Sequence, residues 1–270
     1  MRALLPRRSV QAHKKNAGSL LIVAGSPDYA GAAVLAATAA LASGAAFVRL
    51  LVPEAMVAPM QFAVPEAVVS ALSPAKALEL AETAHAVVIG PGLGRSKESL
   101  ALARELFEKI SKPVLMDADA LFAMAEGGEL KSGGLRLLTP HDGEFARLLG
   151  GPQALNLNRV DVLRAFASAS GCSVLLKGPA TLVAAPEGGL SVNSTGNAAL
   201  ASAGTGDVLA GLCGALMAQG LSVFDSGRLG AFIHGLAADL RVEQKGAVGL
   251  TASELVGLLP GTFSQLRGKA

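Results

Sequence analysis

Four consecutive residues, Gly204-Thr205-Gly206-Asp207, stand directly before an uncharged apolar run at 208–217. Two glycines let the backbone turn sharply with its N–H groups on one side. A helix starting there adds its free N–H groups and the positive end of its dipole. Together these hold an anion such as a phosphate. An aspartate has the wrong charge for an anion ligand, but it can take a proton from whatever attacks the phosphate. Asp207 is therefore a candidate base, and Gly204, Thr205 and Gly206 a candidate anion hole. The competing reading is a glycine-rich turn in which Asp207 caps the helix.

Other polar clusters follow segments that read as short buried strands. Gly90-Pro91-Gly92-Leu93-Gly94 follows 86–89, and its glycines allow close approach to a ligand or a simple turn. Asp117-Ala118-Asp119 follows 114–116; carboxylates there suit Mg²⁺, a substrate hydroxyl or a helix cap. Thr139-Pro140-His141-Asp142-Gly143-Glu144 follows 135–138. Glu144 could hold a metal-bound water, and His141 could bond a ligand or cap a helix at 142–149. Lys177-Gly178-Pro179-Ala180-Thr181 follows 173–176. Lys177 could bind a phosphate, or the loop backbone could cradle a nucleotide; Gly178 and Pro179 favour the backbone reading.

The elements that carry these loops alternate. A strand at 19–24 runs into Gly25-Ser26, then an Ala-rich helix at 31–43 and a strand at 47–52. The first loop, Gly25-Ser26-Pro27-Asp28-Tyr29-Ala30-Gly31-Ala32, lacks the G-x-G-x-x-G of a dinucleotide-binding unit, which disfavours a Rossmann dehydrogenase. A short strand at 68–72 precedes helices at 74–83 and 96–110. A helix at 159–170 comes next, then a hairpin at 182–185 and 190–193. A helix at 223–243 carries His234 and Asp239, both read as structural. A segment at 251–259 closes the chain with the capping-box pattern Thr251-Ala252-Ser253-Glu254. Such alternation predicts an α/β fold, a mostly parallel central sheet with helices on both faces, as one domain over 1–270. The chemistry-bearing residues all follow strand ends, the edge where open α/β sheets bind ligands.

Composition narrows the function classes. Half the chain is apolar, Trp is absent and Tyr occurs once, so Ala, Leu, Val and Gly must fill the core. A net charge of +2 implies no broad basic field for nucleic acid. The uncharged stretch 30–48 is long enough to span a bilayer, but its Ala, Gly, Ser and Thr content reads as a buried helix and strand. Arg7-Arg8 and His13-Lys14-Lys15 have no apolar segment after them, which argues against a secretory signal. Cys172 and Cys213 lack metal or redox spacing and read as reduced, buried thiols in a cytoplasmic protein.

Taken in order, these motifs resemble the ribokinase-like superfamily, and within it the ADP-dependent NAD(P)H-hydrate dehydratases. The likeness rests on Gly25-Ser26 with Gly31-Ala32, the 90–94 loop, Asp117-Ala118-Asp119-Ala120-Leu121, and Thr139-Pro140-His141 with Glu144. It continues through 177–181, Gly196-Asn197 to Asp207, and His234-Gly235, and covers about residues 13–260. Gly44-Ala45-Ala46 departs from the Gly-Ala-Gly common in relatives.

That resemblance implies a repair enzyme acting on the S epimer of NADH or NADPH hydrate. ADP would be the co-substrate, and NAD(P)H, AMP and phosphate the products. It places substrate contacts on Ala32, Gly94, His141 and Asp207, and AMP contacts on Lys177, Gly178, Pro179, Ala180, Thr181 and Gly206. It also implies a homotetramer, and a separate NAD(P)H-hydrate epimerase as functional partner. Read with the motif chemistry, Asp207 deprotonates the C6 hydroxyl, which attacks the terminal phosphate of ADP. Mg²⁺ would be held through water by Glu144 and by Asp117. Two rival readings remain at this point: a vitamin-precursor kinase of the same superfamily, and a non-catalytic nucleotide-binding sensor.

Overall fold

The computed structural model describes residues 1–6, 18–128, 130–132, 135–151 and 158–268. Arg7, Arg8, His13, Lys14 and Lys15, on which the signal-peptide argument turned, lie outside the described residues. In chain order the first elements are β1 (Ser19–Val23), α1 (Ala30–Ala42), β2 (Phe47–Val52), α2 (Val57–Ala63), β3 (Val68–Ala71), α3 (Pro74–Thr83) and β4 (Ala86–Ile89). They are followed by α4 (Lys97–Lys109), β5 (Val114–Met116), α5 (Asp119–Glu126), β6 (Arg136–Leu138), α6 (Asp142–Leu148), α7 (Arg159–Ser170) and β7 (Ser173–Leu176). The hairpin strands β8 (Leu182–Ala184) and β9 (Leu190–Val192) come next, then α8 (Thr205–Ala218), α9 (Val223–Lys245) and α10 (Ala252–Arg267).

The strands form one sheet in the order β3-β2-β1-β4-β5-β6-β7-β8-β9. Pairing is parallel from β3 through β7, and the β8–β9 hairpin is antiparallel. The inner strands β1, β4, β5, β6 and β7 are buried along their length, so their residues alternate between two apolar cores, while the edge strand β3 is partly exposed. Leu21, Val23, Val87 and Ile89 face α3, α4, α5, α6 and α7. Leu20, Ile22, Val48 and Val88 face α1, α8 and α9. A third core lies between α8, α9 and α10.

Small residues bring the second layer close. In α8 every residue from Val208 to Ala218 is buried, as befits a helix apolar on all sides. It crosses α1 so tightly that a Cβ on Gly211 would be driven into the Ala36 carbonyl. Gly211→Ala must push the two helices apart. It is expected to cost about 1–3 kcal/mol of stability, read as a lower urea midpoint at unchanged slope.

Three local expectations are revised. The helices Val57–Ala63 and Asp119–Glu126 were not anticipated, because seven and eight residues give too little periodicity. The last helix runs through Pro260 to Arg267 rather than stopping at Leu259. Burial of Leu259, Thr262 and Phe263 outweighs the missing proline N–H. Thr251 does cap this helix by accepting from the Glu254 amide, at 3.2 Å. Its box is only half made, since the Glu254 carboxylate turns to Lys245 at 2.8 Å and Arg241 at 3.3 Å.

Candidate active site

The start of α8 sits at the carboxyl edge of the sheet. Gly204 is its N-cap, in the left-handed region at φ +86°, where a Cβ would meet Leu35 Cδ1 at 2.6 Å. Thr205 follows, its hydroxyl donating to the Leu200 and Ser202 carbonyls at 2.8 and 2.9 Å. Its amide faces the Ser202 carbonyl at 3.4 Å, so both Thr205 donors are spent on the loop. Among the described residues the amides of Gly204, Gly206 and Asp207 have no backbone acceptor, which leaves them as the donors of the anion hole. Asp207 is the third residue of the helix and does not cap it. The competing reading of this carboxylate as a helix cap is thereby removed.

Asp207 is half-buried beside other carboxylates. Burial raises its pKa, the Asp117 and Asp119 charges add to the rise and Lys177 opposes it, leaving the group at about 7. Lys177 is the hub. Its Nζ donates to Asp117 Oδ1 at 2.8 Å and stands 3.7 Å from Glu144 Oε2. It also lies 3.7 Å from where a Cβ on Gly206 would be. Burial alone would lower its pKa, but the Asp117 and Glu144 carboxylates outweigh that and raise it. Asp117 is almost fully buried and accepts a second bond from the Thr139 hydroxyl at 2.9 Å. The Lys177 side chain thus reaches the reaction edge, whereas the turn chemistry had favoured its backbone alone.

His141 and Glu144 cap each other. His141 Nδ1 accepts from the Gly143 and Glu144 amides, and Glu144 Oε2 accepts from the His141 amide at 2.8 Å. This is the capping box of α6. Both residues keep this structural duty alongside any contact with ligand.

A cavity of about 820 Å³ opens beside Gly206. Its walls are the start of α6, the 177–181 loop, the 193–201 loop and α9. Lys177, Gly178, Pro179, Ala180, Thr181, Thr205, Gly206 and His141 all line it. Two residues hold those walls, one of which, Arg159, sequence reasoning did not single out. The Arg159 guanidinium binds Asp142 Oδ1 at 2.7 Å and the Lys177 and Pro179 carbonyls at 3.2 and 3.4 Å. Asp239, read as structural, accepts from the Gly196 amide and the Asn197 side chain, at 2.9 and 2.8 Å. His234, also read as structural, lines the cavity.

Ala32 and Gly94 do not line that cavity. They sit near one another by way of the intervening loop. A Cβ on Gly92 would be 2.8 Å from Ala32 Cβ, and one on Gly94 would be 3.4 Å from Ser26 Cβ. The Gly94 amide donates to Asp119 Oδ2 at 2.9 Å. Asp119 is also one of the charges raising Asp207, so the Gly94 loop carries a carboxylate within electrostatic reach of the base. Ala118, between the two aspartates, is forced to φ 49°, a conformation that costs about 1–3 kcal/mol and is typical of functional sites.

Comparison with known proteins identifies the family. A family model described as NAD(P)H-hydrate dehydratase matches residues 20–260. The chain is 40% identical to the ADP-dependent (S)-NAD(P)H-hydrate dehydratase of Neisseria meningitidis serogroup B, over 92% of this chain and 86% of that protein. It is also 40% identical to the bifunctional NAD(P)H-hydrate repair enzyme of Escherichia coli K12, over 95% of this chain and 49% of that protein. The chain therefore spans about half the length of such bifunctional relatives. Among solved structures, it superposes on the ADP/ATP-dependent NAD(P)H-hydrate dehydratase of Bacillus subtilis, co-crystallised with ATP and Mg²⁺. The TM-score is 0.88 at 33% identity, covering 98% of this chain and 95% of that one. Arabidopsis thaliana ribokinase shares the fold alone, with a TM-score of 0.52 at 14% identity over 90% of this chain and 99% of that one.

Proposed function

Because the chain belongs to the NAD(P)H-hydrate dehydratase family, we propose that it dehydrates the S epimer of NADH or NADPH hydrate at the expense of ADP. The products are NAD(P)H, AMP and phosphate. The observation that carries this reading is Asp207, a carboxyl titrating at about 7 at the start of α8, beside a nucleotide-sized cavity.

In this reading ADP fills the cavity along the 177–181 loop and presents its terminal phosphate to the Gly206 and Asp207 amides. The hydrate lies along Ala32, Gly94 and His141. Asp207 takes the proton of the C6 hydroxyl, and that oxygen attacks the terminal phosphorus as the bond to AMP breaks. Lys177 and the α8 amides offset the charge on the transferred group. The ring nitrogen lone pair then expels phosphate in place of hydroxide, and loss of the C5 proton restores the dihydropyridine.

Mg²⁺ fits this site only through water. Lys177 already engages both Asp117 and Glu144, and among the described residues no cluster of metal-binding groups is present. Mg²⁺ keeps several waters and binds mainly through phosphates, so Glu144 and Asp117 would hold those waters. The ion would supply charge neutralisation on the phosphates.

The enzyme acts in this reading as a cytoplasmic homotetramer, with the R epimer converted by an NAD(P)H-hydrate epimerase. Among the described residues no helix is long and apolar enough to cross a membrane. Mixing the protein with hydrated NADH should restore the reduced-nicotinamide absorbance only when ADP is present, with one AMP and one phosphate formed per NADH. Recovery without nucleotide, or recovery unaccompanied by AMP, would exclude the reaction. Light scattering on the same sample reports the assembly.

A further inference from the structure

The reading of the cavity as a nucleotide site leaves one polar atom in it without a role. His234 is 8% exposed and lines the cavity. Its Nε2 lies 2.9 Å from the Thr205 carbonyl oxygen. A carbonyl can only accept, so Nε2 must carry the proton. The ring is neutral, since burial lowers its pKa to about 4 against the pull of that carbonyl. The tautomer is therefore forced: Nε2–H faces Thr205, and Nδ1 presents a bare lone pair. Among the described residues no hydrogen bond to Nδ1 is made. An acceptor in a cavity wall that no protein group engages is open to a donor on a ligand.

We propose that His234 is a specificity residue whose Nδ1 accepts a hydrogen bond from an O–H or N–H donor on the nucleoside part of the bound nucleotide. The donor is a ribose hydroxyl or the exocyclic amine of adenine. The inference rests on the nucleotide reading above and deepens it. Position supports it. His234 grips the residue next to Gly206, so the atom that reads the nucleoside and the amides that hold the phosphate share one rigid link. The Asp239 bonds to Gly196 and Asn197 fix the facing wall.

Two isosteric substitutions separate the ring's two nitrogens. His234→Gln keeps an N–H near the Nε2 position, so the Thr205 bond and the fold persist, but nothing accepts at Nδ1. His234→Asn places its amide near Nδ1 and forfeits the Thr205 bond. AMP binding is measured by calorimetry, independently of turnover, on folded protein verified by circular dichroism. His234→Gln is expected to weaken AMP about tenfold or more, and His234→Asn by only a few-fold. With 2′-deoxy-AMP, 3′-deoxy-AMP and IMP, one analogue should bind the native protein about as weakly as AMP binds His234→Gln. The same analogue should lose nothing further in that variant, which identifies the donor. Equal AMP affinity in the native protein and His234→Gln overturns the inference, as does an analogue series affected alike in both. Absence of AMP and ADP binding to the native protein would instead overturn the nucleotide reading itself.

Discussion

Asp207→Asn is expected to lower kcat for ADP-dependent dehydration by about 10²–10⁴-fold, the usual contribution of a positioned base. The KM for ADP should change little, because Asp207 is not one of the cavity walls and Asp207→Asn keeps the backbone amide that meets the terminal phosphate. The native enzyme's kcat/KM should rise tenfold per pH unit below about 7 and level off above it, as the carboxyl loses its proton. Stability runs the opposite way. The folded state holds this proton at about 7 against 3.8 for an ordinary aspartate, so the stability linked to it is full below 3.8 and is lost as pH rises through 7. Asp207→Asn should therefore be the more stable protein at about pH 8, by on the order of 2–4 kcal/mol. The gap should close near pH 4. Guanidinium denaturation at the two pH values reads this directly, and a variant less stable at high pH would contradict a strained, desolvated base.

Lys177→Met should have the second largest effect, on two separate readouts. Asp117 would remain buried with only the Thr139 hydroxyl as partner, and removing one member of a buried pair costs about 3–5 kcal/mol. Lys177 is also the group that holds Asp207 down, so the acid limb of kcat/KM should move above 7. A Lys177→Met, Asp117→Asn double variant removes the orphaned charge. It should recover most of the lost stability and none of the activity, since the cation facing the transferred phosphoryl group is still gone. Recovery of activity in the double variant would show that Lys177 serves the fold alone.

The sequence foretold different parts of the molecule for different physical reasons. The parallel strands were legible because each is a short, mostly apolar run that gives way to a polar, glycine or proline loop, and β2, β4, β5 and β7 match to the residue. The helices at 57–63 and 119–126 were not, because their first turns contain a proline or follow the distorted Ala118. In the site, the Gly204 to Asp207 turn was legible from type and spacing. The Lys177–Asp117 pair was not, since its partners are 60 residues apart and meet only because β5, β6 and β7 are neighbours. His141 was left between ligand and cap, and the structure gives it the cap while keeping it in the cavity wall; Glu144, read as a holder of a metal-bound water, completes the same capping box. His234 was passed over because a histidine on an apolar helix usually serves the core; only the loop folded against it reveals the cavity.

Tyr29, the chain's single tyrosine in a protein without tryptophan, has an optical consequence. It is 60% exposed and packs so closely over the 90–94 loop that a Cβ on Gly92 would lie 2.8 Å from its own Cβ. Emission excited on the red side of phenylalanine absorption therefore originates beside Ala32 and Gly94, where the proposed reading lays the dinucleotide. Reduced nicotinamide absorbs at longer wavelength than its hydrate, which has lost one ring double bond, so its overlap with tyrosine emission is the larger. Dehydration at Asp207 would thus increase energy transfer from Tyr29 to the freshly formed ring. A stopped-flow trace of donor quenching would then time product formation separately from product release, without a label.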